Sequence, residues 1–154
     1  MVSDEGPYFD DFEVGEEIVT DGRTVTESDV VTFAGFSGDL HPMHLDARYA
    51  QGTIFGQRIA HGLCVMGIAS GNIVRKGILR QGIAFYGIED WKFLKPLFFG
   101  DTIRVKVGVD RKIENRKSDR GVVIFAIEIV NQDDAVLQSG KWKVMMSRKT
   151  QPNA

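Results

Sequence analysis

Apolar and polar positions alternate with a period of two over Thr102 to Glu114, where Ile103, Val105, Val107 and Val109 interleave with Arg104, Lys106 and Gly108. That is the signature of a half-buried strand. The alternation returns over Ala135 to Met146, with Trp142, Val144 and Met146 set against Lys141 and Lys143, and Val122 to Val130 reads as a strand before it. Asn131-Gln132-Asp133-Asp134 between the two is a polar hairpin signal. Upstream, Ile83 to Leu94 predicts a strand ending at Lys95-Pro96, and Gly100-Asp101 predicts the turn into the next one. A first strand is expected near Ile18 to Val25, after an apolar lead-in carrying Phe9, Phe12 and Val14 that has no evident chemistry.

The pattern changes in two places. Thr26-Glu27-Ser28-Asp29 opens a short helix through about Gly35, with Thr26 as N-cap and Asp29 at the capping-box position. Ala60 to Leu79 is apolar on nearly every face, so it predicts a long buried helix. It is also rich in small residues. Each internal Gly costs about 1 kcal/mol against Ala, so Gly67 and Gly71 are expected to be offset by close backbone approach to a sheet or ligand, with Ser70 enclosed between them. Gly35, Gly38 and Pro42 break regular structure, which leaves Asp39 to Met43 as a loop and Asp46 to Ala50 as one further helical turn. The tail after Arg148 is expected to fray. The sum is an α+β architecture: one long helix packed on an antiparallel sheet of about five strands.

Length and composition limit what this architecture can be. With 154 residues, 43% of them hydrophobic, the chain predicts a single domain with its core between about residues 9 and 146. One cysteine, Cys64, lies in an apolar run without a disulfide partner and reads as a small core hydrophobe. The acidic stretch Met1 to Gly15 has no basic region followed by an apolar run, and no segment is long and apolar enough to span a bilayer, so a soluble cytoplasmic protein is expected. The formal charge of −2 hides an asymmetry: residues 1 to 74 carry three arginines against twelve acids, and residues 75 to 154 carry sixteen bases against nine. The densest bases are Arg104, Lys106, Arg111, Lys112, Arg116, Lys117 and Arg120, read first as a solvated strand face and hairpin tip and second as a phosphate site. Aromatics are not interleaved with them, which argues against nucleic acid.

The chemistry gathers in Ser37-Gly38-Asp39-Leu40-His41-Pro42-Met43-His44-Leu45-Asp46 and in Phe55-Gly56-Gln57-Arg58-Ile59-Ala60-His61-Gly62. Asp39 accepts hydrogen bonds when ionised, His44 exchanges a proton near neutral pH, and a loop stiffened by Pro42 can aim both at one water. The backbone N–H of Gly62, at a helix N-terminus, is suited to a carbonyl oxygen that gains negative charge. These parts activate water and stabilise an enolate.

On Ser37-x-Asp39-x-x-Pro42-x-His44-x-Asp46, then Phe55-Gly56-x-x-Ile59-Ala60-His61-Gly62, then Phe93-x-x-Pro96-x-x-x-Gly100-Asp101, the chain resembles the MaoC-like dehydratases, the group that includes the (R)-specific enoyl-CoA hydratases, from about Phe9 to Met146. The resemblance implies a hot-dog fold, in which the sheet wraps the long helix. It implies reversible addition of water to a trans-2-enoyl-CoA, with Asp39 and His44 activating the water. Gly62 would offer its amide to the thioester oxygen and Ser70 would support the site. Coenzyme A enters as the substrate's carrier, with acyl carrier protein as the alternative, and no cofactor or metal is implied. A homodimer or larger assembly is expected. The family usually has Asn immediately before the Pro; this chain has His41, expected to hydrogen-bond within the loop and support it.

Other readings stay open. His41, His44 and His61 with Asp39 and Asp46 are a possible metal ligand set, though that leaves the His-Gly helix start unexplained. His61 by itself reads as packing near the helix start. A non-catalytic acyl-thioester-binding subunit would keep the fold without turnover. A hot-dog thioesterase usually carries its carboxylate on the long helix, and Gly62 to Leu79 contains no Asp or Glu.

Overall fold

The computed structural model describes residues 6–114 and 118–149. Arg116 and Lys117 of the basic cluster, and the tail from 150 onward, lie outside the described residues.

The chain runs from a 3-10 turn (Phe9–Asp11) into β1 (Glu17–Val19) and β2 (Arg23–Thr24), then through three short helices, α1 (Glu27–Ser37), α2 (Pro42–Leu45) and α3 (Ala47–Gln51), to the long helix α4 (Gly62–Arg75). Four long strands follow: β3 (Gly82–Phe93), β4 (Thr102–Ile113), β5 (Arg120–Val130) and β6 (Val136–Ser147). They form one antiparallel six-stranded sheet in the order β1-β4-β5-β6-β3, with β2 continuing along β4 beside β1. The sheet wraps α4, which is the hot-dog arrangement. The helix presents Cys64, Val65, Ile68, Ala69 and Ile73 to the sheet, and Val105, Val107, Phe125, Ile127 and Trp142 meet it in the core. The expected alternation holds along β4, where Ile103, Val105, Val107 and Val109 are buried and their neighbours are not. Burial pushes the Cys64 thiol up to about 11, so it is an inert core group at neutral pH.

Several expectations change. The single first strand is two, because Thr20 turns inward between them: its Oγ1 accepts from the Val105 N–H at 3.0 Å. The Asp39–Met43 loop is shorter than expected, since Pro42 opens α2 with His41 as its N-cap. Helix α4 stops at Arg75 rather than Leu79, and Gly77 adopts a left-handed φ of +84° that reverses the chain. Nor is α4 buried all round. Leu63 and Val74 are exposed, Ser70 is half-buried, and a Cβ on Gly67 or Gly71 would meet nothing within 4 Å. The small residues lie on an open face. Lys149, the one described residue of the tail after Arg148, is held by Asp11 rather than frayed, beside the Arg148–Asp10 pair. Most of the described cluster bases are paired within the chain: Arg104 with Asp134 at 2.9 Å, Arg111 with Glu89 at 3.6 Å, Arg120 with Asp119 at 2.8 Å, and Lys112 on the Phe12 carbonyl at 2.8 Å. No described helix is long and apolar enough to cross a membrane.

Candidate active site

Local signals deliver the first acid to its place. Helix α1 opens with the capping box Thr26–Asp29, its first turn is held further by Arg23 on Asp29 at 2.5 Å, and it ends at Gly38 with φ of +77°. That left-handed residue turns the chain so that Asp39 follows at the mouth of the site, exposed. Its N–H donates to Ser37 Oγ at 3.1 Å, and its carboxylate accepts from the His41 N–H at 3.3 Å.

His41 supports the loop through its ring: Nδ1 accepts from the Met43 N–H at 3.2 Å and so caps α2. His44, three residues further on in α2, is buried. Its Nδ1 lies 2.7 Å from the Ile59 carbonyl. A carbonyl only accepts, so Nδ1 carries the hydrogen and Nε2 keeps a lone pair. Burial pulls the His44 pKa below its ordinary 6.5; the His61 ring acts in the same direction, and the Ile59 and Asp39 oxygens act against it. Asp46 caps α3 through the Tyr49 N–H at 3.0 Å and takes no part in the site.

His61, also buried, stacks on His44 with ring centroids 3.7 Å apart and a 27° tilt. Its Nε2 donates to the Asp39 carbonyl at 2.9 Å. Asp39, His44 and His61 place one ligand-type atom each within 4.8 Å of one another. His44 Nδ1 and His61 Nε2 are already engaged on the Ile59 and Asp39 carbonyls, so each ring has one nitrogen left to offer.

Gly62 is the first residue of α4. A Cβ there would sit 2.6 Å from the exposed Phe93 ring on β3, so a side chain at this position would require that ring to move. The Gly62 carbonyl accepts from Gln138 Nε2 at 2.9 Å, and Gln138 Oε1 accepts from Trp91 Nε1 at 3.1 Å. Beside this helix start opens a cleft of about 250 Å³ with apolar walls from Phe55, Ile59, Val65, Phe93 and Leu137. Neither Asp39 nor His44 lines it; the cleft and the pair are joined through residues 59–62. Gln138 escaped the sequence reading because it reaches Gly62 only through the fold, and Phe93 was read as a motif residue without its contact to Gly62. Period two had marked Gln138 only as one more strand position. Ser70 is not brought to the pair within this chain: it lies eight residues past Gly62, about 12 Å further along the helix axis, on the open face of α4.

The MaoC-like domain matches residues 11–128. Protein MaoC of Klebsiella aerogenes is 41% identical over 105 residues, which is 68% of this chain and 31% of that protein, so the chain spans under a third of it. The 3-hydroxybutyryl-CoA dehydratase of Methylorubrum extorquens is 36% identical over 137 residues, covering 87% of this chain and 85% of the relative. The (R)-specific enoyl-CoA hydratase of Rhodospirillum rubrum is 36% identical over 110 residues, covering 71% and 74%. Among solved structures, one described as a monoamine oxidase regulatory protein from Archaeoglobus fulgidus superposes with a TM-score of 0.88 at 35% identity, covering 97% of this chain and 100% of that one. A Mycobacterium tuberculosis protein described as having a double hot-dog fold superposes with a TM-score of 0.82 at 18% identity, over 97% of this chain and 47% of that one, which bears on the fold alone.

Proposed function

Because the chain belongs to the MaoC-like domain family, we propose that it is a hydratase that adds water reversibly to a trans-2-enoyl-CoA to give the 3-hydroxyacyl-CoA. The observation that carries this reading is the Asp39 carboxylate and a His44 ring nitrogen within 4.8 Å, a span that one water bridges. His44 takes a proton from that water through Nε2, the ring nitrogen left with a lone pair. The hydroxide adds at C3. The enolate oxygen is held by the Gly62 N–H at the head of α4, and the proton lodged on the pair passes to the α-carbon on the same face. The apolar cleft beside Gly62 takes the acyl chain. Relatives named for 3-hydroxybutyryl-CoA and enoyl-CoA support a coenzyme A thioester as the substrate, and a homodimer is the working unit. Ser70 supports the site in that assembly rather than within one chain.

The test is the absorbance of the conjugated enoyl thioester when crotonyl-CoA is added to pure protein, with Asp39→Asn and His44→Ala run alongside. Wild-type turnover falling by about 10²–10⁴-fold in each variant is the expected result. No wild-type turnover on short, long or carboxylated enoyl-CoAs would replace this reading with that of a binding subunit or of an enzyme that takes another carrier.

A further inference from the structure

Three backbone and ring contacts zip the exposed loop onto the extended residues that precede α4. The Ile59 N–H donates to the Met43 carbonyl at 3.4 Å, the Ile59 carbonyl accepts from His44 Nδ1 at 2.7 Å, and His61 Nε2 donates to the Asp39 carbonyl at 2.9 Å. The last contact differs from the others that Asp39 makes. Those stay within residues 37–41, and among the described residues only the His61 ring ties Asp39 to the buried body of the molecule. A carboxylate on an otherwise exposed loop, held by local turns alone, would sample many positions.

His44 poses the complementary problem. One hydrogen bond to Ile59 leaves an imidazole free to tilt about that bond, and the His61 ring closes that freedom by covering one face at 3.7 Å. His61 is itself fixed, 3% exposed and packed against Phe33 of α1 at 4.9 Å between ring centroids. Space-filling would be served better by phenylalanine. His61 Nδ1 is buried with no hydrogen-bond partner among the described residues, a loss on the order of 1–3 kcal/mol that an apolar ring would avoid. What the imidazole adds is Nε2–H on Asp39.

We propose that His61 is the positioning residue of the reaction: one ring that fixes Asp39 by a hydrogen bond and His44 by stacking, next in sequence to the Gly62 amide. The inference rests on the hydratase reading. The experiment is steady-state kinetics on crotonyl-CoA for wild type, His61→Phe, His61→Gln and His61→Asn, with melting temperatures for each. Phe keeps the stack and loses the donor; kcat falls by about 10²-fold while KM stays within about threefold. Gln carries an amide about as far out as Nε2 and Asn does not, so H61Q exceeds H61N in kcat by about tenfold or more even where H61F fails to fold. H61F with wild-type kcat, or H61Q and H61N with equal kcat, overturns the inference and leaves the hydratase reading standing. A wild type without turnover removes both.

Discussion

At the scale of single residues, the state of His44 sets the pH behaviour. Its hydrogen sits on Nδ1 against the Ile59 carbonyl, and burial holds the ring's pKa below 6.5. The ring is therefore neutral, and able to accept a proton, at pH 7 and above. The acid limb of kcat/KM is expected to have its midpoint below pH 6.5, as a property of the Asp39–His44 pair rather than of either group. The same preference for the neutral ring acts on stability. Unfolded His44 binds a proton near its ordinary value while the folded ring resists, so its contribution is complete above pH 6.5 and is lost as pH falls through the folded value. A pH–rate profile and melting temperatures across the range check both; a limb centred above 6.5 would contradict the assignment. Asp39, His44 and Gly62 were legible as candidates because near neighbours mark them: the Gly38 turn, the loop stiffened by Pro42, a helix N-terminus. Gln138 was not, since it meets Gly62 across 76 residues of sequence. His41 capping α2 was legible as loop support, while the tie from His61 to Asp39 was hidden because it joins two motifs through the fold.

At the scale of elements, caps and turns were the readable part. The Thr26–Asp29 box, the Asn131–Asp134 hairpin and the Gly100–Asp101 turn stand where the sequence places them, because each is decided within four residues. Boundaries set by packing were not readable: the apolar run past Arg75 continues the helical pattern although Gly77 has already turned the chain. Glycines show the same division. Gly67, which the pattern expected to be crowded, faces open space, whereas Gly121 on β5, which carries no motif, would put a Cβ 2.5 Å from the ring of fully buried Phe9. Phe9 cannot swing outward as an exposed ring can. Gly121→Ala is expected to cost about 1–3 kcal/mol, seen as a melting temperature several degrees lower with kcat unchanged at low temperature. A variant as stable as wild type would show that the Phe9 turn yields cheaply.

At the scale of the whole molecule, two apolar surfaces remain open. Strand β3 is a sheet edge with Ile83, Phe85, Tyr86, Ile88 and Phe93 exposed along it, and long apolar edges are managed by pairing or covering in natural sheets. On α4, Leu63, Gly67, Ser70 and Val74 fall within a stripe about 60° wide at 100° per residue, apolar and small where solvent would favour charge. A second copy of the chain covering both surfaces would account for the glycines that nothing crowds within one chain. Val74, 56% exposed, separates the alternatives. In a chain that works alone, Val74→Glu changes stability by no more than about 0.5 kcal/mol. In a homodimer closed over this face it places an unpaired carboxylate in the interface, so the expected result is dimer mass for wild type by light scattering and monomer mass for V74E. Wild-type melting should also rise with protein concentration and V74E melting should not, since mass action stabilises only the form that associates. If Ser70 reaches a site only in the dimer, V74E loses turnover together with dimer mass while its fold persists by circular dichroism. A wild type of monomer mass that still turns over would leave the open face of α4, and Ser70 on it, without a part in the chemistry.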